Sequence, residues 1–162
     1  MKAISLWQPW ATFIASGAKK IETRSWSTGY RGPIAIHAAK RKILKEIKEL
    51  AEYEDYRAAL GIPVQEEEDS EIEAAVDKML ALPYGVIIAV ATLKDCIAVS
   101  NVNRTELRRD HGGWCECDLG NYGSGRYGWL LEDVRAIEPI PYKGEQGLFD
   151  VPDSVILSAT KE

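Results

Sequence analysis

The first forty residues consist of short apolar runs separated by glycine and proline. Residues 2–6 alternate as a strand does, and Pro9 suits the first turn of a helix that ends at Gly17. Residues 20–24 and 34–38 are β-favouring runs, with a loop that contains Ser, Thr, Gly and Pro between them. This pattern predicts a strand, a short helix and two further strands.

Helical periodicity dominates the next stretch of the chain. Apolar residues recur at helical spacing over residues 41–60 and predict one amphipathic helix that ends at Gly61. Ser70, followed three residues later by Glu73, has the spacing of a capping box. This spacing predicts a second helix that begins at Ser70 and ends before Pro83.

The second half of the chain returns to strand character. Residues 85–93 are too apolar for a one-sided strand and predict a central strand covered on both faces. Residues 100–128 lose the hydrophobic pattern and predict a long irregular loop of the kind that carries function. Strands are expected at 126–137 and 147–151, and Pro152 opens a short terminal helix.

Short strands broken by turns, with three or four helices added, predict an α+β fold built on a small, partly open β-barrel with helical insertions. The absence of strict βα alternation argues against a doubly wound sheet, and a sandwich is the main alternative. The 162 residues fit one domain over 1–162, with a helical acidic insertion at about 41–82. A chain of this length can bury a core without disulfides or a structural metal.

The charge is unevenly distributed along the chain. The net charge of -5 by itself argues against a nucleic-acid ligand. Between Lys19 and Lys48, however, nine basic residues face two acidic ones, a local balance of +7 that leaves -12 for the remainder. Much of that acidity lies at 49–82, so the basic and the acidic segments need separate explanations.

The cysteines and the N-terminus indicate a reduced, cytoplasmic protein. Three cysteines do not form a disulfide framework, and no apolar run reaches the length of a membrane span or a signal peptide. His111, Cys115 and Cys117 could ligate zinc, but Cys-x-Cys is not the separation of a zinc knuckle. We therefore expect free thiols in an irregular loop, with no metal and no cofactor.

The densest chemistry lies between Gly17 and Arg24, where a helix end is followed by two lysines, a glutamate and an arginine. Alternation along a strand would place Lys20, Glu22 and Arg24 on one face, and Lys19 in the preceding turn can reach the same side. Such a cluster can bind an anion while its carboxylate orients the cations or takes a proton. A solvated strand face with an ordinary ion pair is the alternative.

A longer motif surrounds this cluster. It runs Leu6-Trp7-Gln8-Pro9-Trp10, then Gly17-x-Lys19-x-x-Glu22-x-Arg24-x-Trp26, then Thr28-x-Tyr30-Arg31-Gly32. The sequence resembles the ASCH family, named for homology to part of activating signal cointegrator-1, and it fills every fixed position of the signature Gly-x-Lys-x-x-Glu-x-Arg. Residues 83–88 and 127–134 also resemble later strands of that family.

The resemblance implies a PUA-like β-barrel with a cleft that is lined by the signature residues and binds RNA or a modified nucleotide. ASCH-like proteins have also been linked to ribonuclease activity and to amide hydrolysis of acylated cytidine. The amidohydrolase-type members carry Thr where this chain has Glu22. Their catalytic arrangement therefore does not transfer to this chain residue by residue.

The candidate ligand-binding residues are the charged residues of the signature and the aromatic, amide and basic side chains near them. They are Trp7, Gln8, Lys19, Lys20, Glu22, Arg24, Trp26, Tyr30, Arg31, His37 and Arg126. Aromatic rings beside cations suit a site that stacks a base and holds a phosphate. Core packing is the alternative for the aromatic residues, helix capping for Gln8, and a satisfied structural imidazole is preferred for His37.

Three functional hypotheses follow. The favoured one is a module that binds single-stranded RNA or a nucleotide-like ligand, without a membrane partner. The alternative is a ribonuclease or nucleoside amidohydrolase in which Lys19 acts as base, Glu22 orients or carries a proton, and Arg24 stabilises negative charge. The third assigns a protein partner to the acidic insertion at 49–82.

Overall fold

One six-stranded mixed sheet organises the protein, whose computed structural model describes residues 1–159. Its strands are β1 Lys2–Leu6, β2 Ile21–Arg24, β3 Gly32–Ala38, β4 Val86–Ala98, β5 Tyr127–Pro141 and β6 Leu148–Asp150. Its helices are α1 Trp10–Ser16, α2 Leu44–Ala51, α3 Glu54–Ala59, α4 Glu68–Leu80, α5 Arg104–Leu107 and α6 Asp153–Leu157. The strand order β2-β5-β4-β3-β1-β6 gives a curled half-barrel, which confirms the predicted α+β class and partly open barrel.

The two longest strands, β4 and β5, form the middle of the sheet. Residues 86–93 of β4 are almost entirely apolar, and most of them are buried, as expected for a strand covered on both faces. The antiparallel ladder between β4 and β5 shifts register at three places along its length. Such bulges bend a strand and increase its twist, so they account for the curl of the sheet.

The start of the chain brings three elements to one end of the sheet. Strand β1 pairs in parallel with β3, with Ser5 opposite His37, and α1 lies in the crossover between them. Strand β2 leaves this crossover and pairs with the far side of β5. Ile14 of α1, Ile36 and Trp129 belong to the core that joins the helix to the sheet. The end of β1, the start of α1 and the whole of β2 therefore converge.

Helices α2, α3 and α4 lie between β3 and β4 in the chain and form a second core against α1. Phe13 of α1 packs with Ile47, Tyr56 and Met79 in this cluster. No helix in the described part of the chain is both long enough and apolar enough to cross a membrane.

The prediction of one helix over residues 41–60 is wrong, because α2 ends at Ala51 and α3 begins at Glu54. The cause is Arg57, which is only 4% exposed. Its guanidinium donates to the carbonyl oxygens of Ala51 and Glu52 at 3.0 and 2.8 Å, and these carbonyls end α2. A single helix would carry those carbonyls into its own hydrogen-bond ladder.

The predicted capping box at Ser70 is also wrong. Helix α4 begins at Glu68, so Ser70 lies in its first turn, and no side chain caps its N-terminus. The residue that orders this part of the chain is Glu71. Its carboxylate accepts from the backbone N–H of Gln65 and, at 3.3 Å, from Arg57 Nε. The ordering of this insertion thus depends on a tertiary ion pair that local spacing does not reveal.

The irregular segment before β5 contains short elements. A 3-10 turn at Val99–Asn101 is followed by α5, which Asn103 caps through Oδ1, and by a second 3-10 turn at Glu116–Leu119. Leu107 and Leu119 are buried, so this predicted loop is fixed to the body of the protein at two points.

The edges of the sheet are short. Strands β2 and β6, which lie at the two ends of the strand order, have four and three residues. The N-terminal ammonium adjoins the β6 edge, where it donates to the carbonyl of Val151 and pairs with Asp153 at 2.7 Å.

We expect Arg57→Ala to lower the free energy of unfolding by about 3 kcal/mol, because it leaves the Glu71 carboxylate buried without its cation. Lys45→Ala is the matched control, since its ion pair with Glu49 is exposed and contributes at most about 0.5 kcal/mol. Urea unfolding of both variants measures the difference. An Arg57→Ala change no larger than that of the control would contradict the structural role of the pair.

Candidate functional site

The turn between α1 and β2 directs Lys19 into the protein. Gly17 ends α1 in the left-handed conformation at φ +82°, and its N–H donates to the carbonyl of Ile14. The N–H of Lys19 then donates to the carbonyl of Phe13 at 3.0 Å. A side chain at position 17 would be strained, so glycine sets the direction of the chain that follows.

Lys19, Glu22 and Arg24 form one ion cluster around the buried Lys19. Lys19 is 1% exposed, and its ammonium donates to the carbonyl of Ile21 and to Glu22 Oε2, the latter at 3.3 Å. The other carboxylate oxygen of Glu22 lies 3.5 Å from Arg24 Nε. The signature glutamate is therefore held between two cations, and it compensates for the burial of Lys19.

Arg24 has hydrogen-bonding capacity left over. Its Nη2 donates to the carbonyl of Ser5 at 2.6 Å. Its buried Nε, although near Glu22, has no acceptor in hydrogen-bond geometry among residues 1–159. Burial lowers the pKa of Arg24, the nearby Glu22 opposes this shift, and Arg126 adds to it. A partly desolvated guanidinium of this kind favours an anionic partner.

A cavity of about 390 Å³, which we call the signature cavity, opens beside this cluster. Its walls come from the end of β1, the start of α1, β2 and the segment before β5. The lining residues are Ser5, Leu6, Trp7, Trp10, Lys19, Glu22, Thr23, Arg24, Ser25, Trp26, Gly120, Asn121 and Arg126. It therefore combines three tryptophans with three cations and one carboxylate.

The tryptophans differ in how they are held. Trp26 packs edge-to-face on Trp129 at 4.8 Å, and the indole N–H of Trp129 donates to the carbonyl of Trp26. Trp10 packs on the ring of Tyr56. Trp7, by contrast, is 47% exposed and has the Arg41 guanidinium 5.9 Å from its ring centre. Trp7 is thus the ring that is most available to a ligand.

Six predicted site residues line the signature cavity: Trp7, Lys19, Glu22, Arg24, Trp26 and Arg126. Arg126 is fixed there, because its Nε and Nη2 donate to the carbonyls of Asn121 and Thr23 at 3.1 and 3.0 Å. The structure therefore brings Arg126 beside the signature residues, which lie about a hundred positions earlier in the sequence.

Gln8 and Lys20 lie elsewhere. Gln8 is 2% exposed and joins α1 to the start of β4, since its amide donates to the carbonyl of Pro83 and accepts from the N–H of Thr12. Lys20 precedes β2 rather than belonging to it, so the predicted shared face with Glu22 and Arg24 is wrong. Its exposed side chain lines a different cavity, of about 270 Å³.

Tyr30 and Arg31 are also outside the signature cavity. The Tyr30 hydroxyl donates to the carbonyl of Pro33, and Arg31 pairs with Asp95 at 2.8 Å. Arg31 also donates to two backbone carbonyls of its own loop. Both side chains are used in holding the turn between β2 and β3.

His37 lies in a second cavity of about 720 Å³, which shares Ser5 with the signature cavity. The imidazole is 1% exposed, with Nε2 2.9 Å from the carbonyl of Tyr142 and Nδ1 2.8 Å from Ser5 Oγ. Because a carbonyl only accepts, Nε2 carries the proton and the Ser5 hydroxyl donates to Nδ1. Burial lowers the pKa of His37, partly offset by the Tyr142 hydrogen bond.

Gly144 closes over this histidine. A Cβ at position 144 would lie 2.5 Å from both His37 Cε1 and Ser5 Oγ, so the backbone approaches where no side chain fits. Three exposed cations, Lys40, Arg41 and Lys143, line the same second cavity. The Arg41 contact with Trp7 joins the two cavities at their rims.

Glu116 is a positioning residue that sequence reasoning missed. It is 7% exposed, and its Oε1 accepts from the backbone N–H groups of Lys20 and Ile21 at 2.7 and 2.6 Å. These amides lie directly after Lys19, so a carboxylate from the segment before β5 fixes the turn between α1 and β2, which we call the signature turn. No periodicity marks residue 116, because its role is set by contact across 95 residues.

Tyr122 lies behind the same turn. Its buried hydroxyl has no hydrogen-bond partner among the described residues. Burial, followed by the charges of Glu116 and Glu22, raises the pKa of Tyr122 well above its usual range. The phenol is therefore a neutral donor close to the carboxylate of the signature.

Comparison with known proteins gives a consistent family assignment. The family model described as the ASCH domain matches residues 4–141. Activating signal cointegrator 1 from Homo sapiens and from Mus musculus are each 32% identical over 96 residues, which is 59% of this chain and 14% of each relative. The matched stretch is thus a small part of those relatives.

The fold has a solved counterpart. The crystal structure of ASCH from Zymomonas mobilis superposes with a TM-score of 0.52 at 17% identity, covering 96% of this chain and 90% of that one. At that identity the likeness concerns the fold alone.

The neutral, buried His37 predicts a pH-dependent stability. In the folded protein the pKa of His37 lies below the usual 6.5, so in the pH range just below that value the imidazole takes up a proton when the chain unfolds. The contribution of His37 to the free energy of unfolding therefore falls as the pH drops below about 6.5. We therefore expect the stability difference between the wild type and His37→Gln to shrink from pH 7.5 to pH 5 in urea unfolding.

His111→Gln, which removes the exposed second histidine, is the matched control for this experiment. A stability difference for His37→Gln that stays constant or grows as the pH falls would show that His37 is not held in its neutral form.

Proposed function

The chain belongs to the ASCH domain family, and on that premise we propose that it binds single-stranded RNA or a nucleotide-like ligand in the signature cavity. The observation that carries the proposal is the joint presence of an exposed tryptophan and two arginines in one cavity. Trp7 supplies the ring, and Arg24 and Arg126 supply positive charge. This pairing suits a base and its phosphate.

Each part of a nucleotide has a complementary group. A base can stack on Trp7, which is exposed at the cavity rim, and the guanidinium charges of Arg24 and Arg126 can attract a phosphate. Glu22 offers carboxylate oxygens that accept from a base amino group or a ribose hydroxyl. The cavity holds three cations and one carboxylate, so its local charge is positive although the chain carries -5.

The hydrolase hypothesis has weaker support in the geometry. A lysine that acts as base or nucleophile needs a free lone pair. The ammonium of Lys19 instead donates to the carbonyl of Ile21 and the carboxylate of Glu22, so its hydrogen-bonding groups are already engaged. The observed contacts suit Lys19 as the structural centre of a binding site better than as a proton acceptor.

The hypothesis that the acidic insertion binds a protein partner also has little support in the geometry. Two of its acids, Glu68 and Glu71, are engaged internally with Arg57. Their charge therefore stabilises the insertion itself.

Trp7→Ala is expected to weaken the binding of a short single-stranded RNA by about 5- to 150-fold, the worth of one base stacked on an aromatic ring. Fluorescence anisotropy of a labelled oligonucleotide measures the loss. Tyr53→Ala, which truncates another exposed aromatic residue at 59% exposure, is the control and is expected to bind normally. Absence of binding by the wild type in low salt, or equal binding by both variants, would overturn the proposal.

The second cavity predicts that the site accepts more than one nucleotide. Because the cavities share Ser5, a strand whose base lies on Trp7 can extend a phosphate toward Lys143. Lys143→Met should weaken binding of an oligonucleotide and reduce the slope of log affinity against log salt by about 0.7, without changing the affinity for a mononucleotide.

Arg31→Met removes a cation that lies outside both cavities and is the control for this experiment. If Lys143→Met and Arg31→Met bind the oligonucleotide equally, the ligand is confined to the signature cavity.

A further inference from the structure

The segment 115–118 brings metal-ligating atoms together outside both cavities. Sγ of Cys115, Sγ of Cys117 and a carboxylate oxygen of Asp118 all lie within 4.8 Å of one another. We propose that these three residues, which we call the thiol cluster, bind a thiophilic divalent cation of the Zn²⁺ class. This proposal is independent of the ligand proposed for the signature cavity.

The separations fit tetrahedral coordination. With Zn–S bonds of about 2.3 Å and Zn–O bonds of about 2.0–2.2 Å, ligand atoms of a tetrahedral site lie about 3.6–3.8 Å apart. The three atoms, all within 4.8 Å of one another, are already close to that spacing. The sequence analysis considered His111 beside the two cysteines and expected no metal, whereas the structure brings a carboxylate oxygen of Asp118 close to both thiols.

The backbone of the thiol cluster is fixed before any ion arrives. Asp110 Oδ1 accepts from the N–H groups of Gly112 and Gly113, and the N–H of His111 donates to the carbonyl of Trp114. A β-bridge joins Asp110 to Cys115. A rigid backbone lowers the entropic cost of gathering three ligands, which favours metal affinity.

Uncompensated negative charge surrounds the thiol cluster. Asp55 of α3, which packs against the 3-10 turn, interacts electrostatically with Asp118. Neither carboxylate takes part in an ion pair within 4.0 Å in the part of the chain that the structure describes. A bound cation would neutralise this group, and the partly exposed cysteines leave a path for it to enter.

The cation would act on the signature turn through Glu116. This residue stands between the two cysteines, but its carboxylate lies on the other side of the turn, where it accepts from the N–H groups of Lys20 and Ile21. Metal binding at Cys115 and Cys117 therefore holds the backbone on both sides of the residue that positions Lys19. The thiol cluster would brace the signature cavity without lining it.

Titration of the reduced 162-residue chain with Co²⁺ tests the proposal. We expect a thiolate-to-cobalt charge-transfer absorption with one equivalent bound, and its loss on addition of Zn²⁺. Cys117→Ser should abolish this absorption, and Asp118→Asn should weaken Co²⁺ binding by at least about tenfold, because even outer-shell partners contribute about 10- to 100-fold. Cys115→Ser is a second variant should Cys117→Ser fail to fold.

Cys96→Ser and His111→Gln are the controls, since both residues lie outside the thiol cluster. We expect Zn²⁺ to raise the Tm of the wild type, and both controls should retain this rise as well as the absorption. The proposal is overturned by a reduced chain that gives no charge-transfer band, by a band that survives Cys117→Ser, or by one that Cys96→Ser removes. A Cys115–Cys117 disulfide in the isolated chain, without Co²⁺ binding after reduction, also overturns it.

Discussion

The burial of Lys19 is the constraint around which this protein is arranged. An ammonium that is 1% exposed must be paired, and Lys19 is paired by its own turn and positioned by a distant segment. Glu22, three residues later, supplies the charge, and Glu116 fixes the backbone that follows. A Cβ at position 120 would lie 3.5 Å from Lys19 Nζ, so Gly120 leaves room for the lysine side chain. One buried cation thus ties α1, β2 and the segment before β5 into a single wall of the signature cavity.

The same device recurs in the helical insertion. Arg57 is buried, pairs with Glu71, and ends α2 by donating to its last carbonyls. The two clusters differ in span: Lys19 pairs with Glu22 three residues later, beyond a helix end that Gly17 caps, whereas Arg57 pairs with Glu71 of α4 across 14 residues. The helical insertion therefore depends on charge pairing between its elements for its order. The protein therefore has two ionic centres, one for the site and one for the helices that pack behind it.

Elements whose determinants are local could be predicted from the sequence. The strand at residues 2–6, the helix that Gly17 ends and the terminal helix after Pro152 follow from alternation and from glycine and proline, and the structure has each of them. The division of residues 41–60 could not be predicted, because it depends on Arg57, which donates to the carbonyls that end α2 and pairs with Glu71 of α4. Alternation correctly joined Glu22 to Arg24, but it also included Lys20, which precedes the strand.

The residues of the candidate site likewise divide into those that the sequence indicates and those that it does not. The motif identified Lys19, Glu22 and Arg24, whereas no sequence pattern indicated that Glu116 supports them or that Gly144 covers His37. Those contacts join residues about a hundred positions apart, and only the curled sheet brings them together.

The short edges of the sheet bear on how the protein behaves at high concentration. An exposed strand edge invites pairing with another chain, and long, flat, apolar edges are the usual starting points of aggregation. Here the edge strands have only four and three residues, and Arg126 donates to the Thr23 carbonyl of β2. The side chain that lines the signature cavity thus also occupies a backbone acceptor on an edge strand, which leaves one acceptor fewer for pairing with another chain.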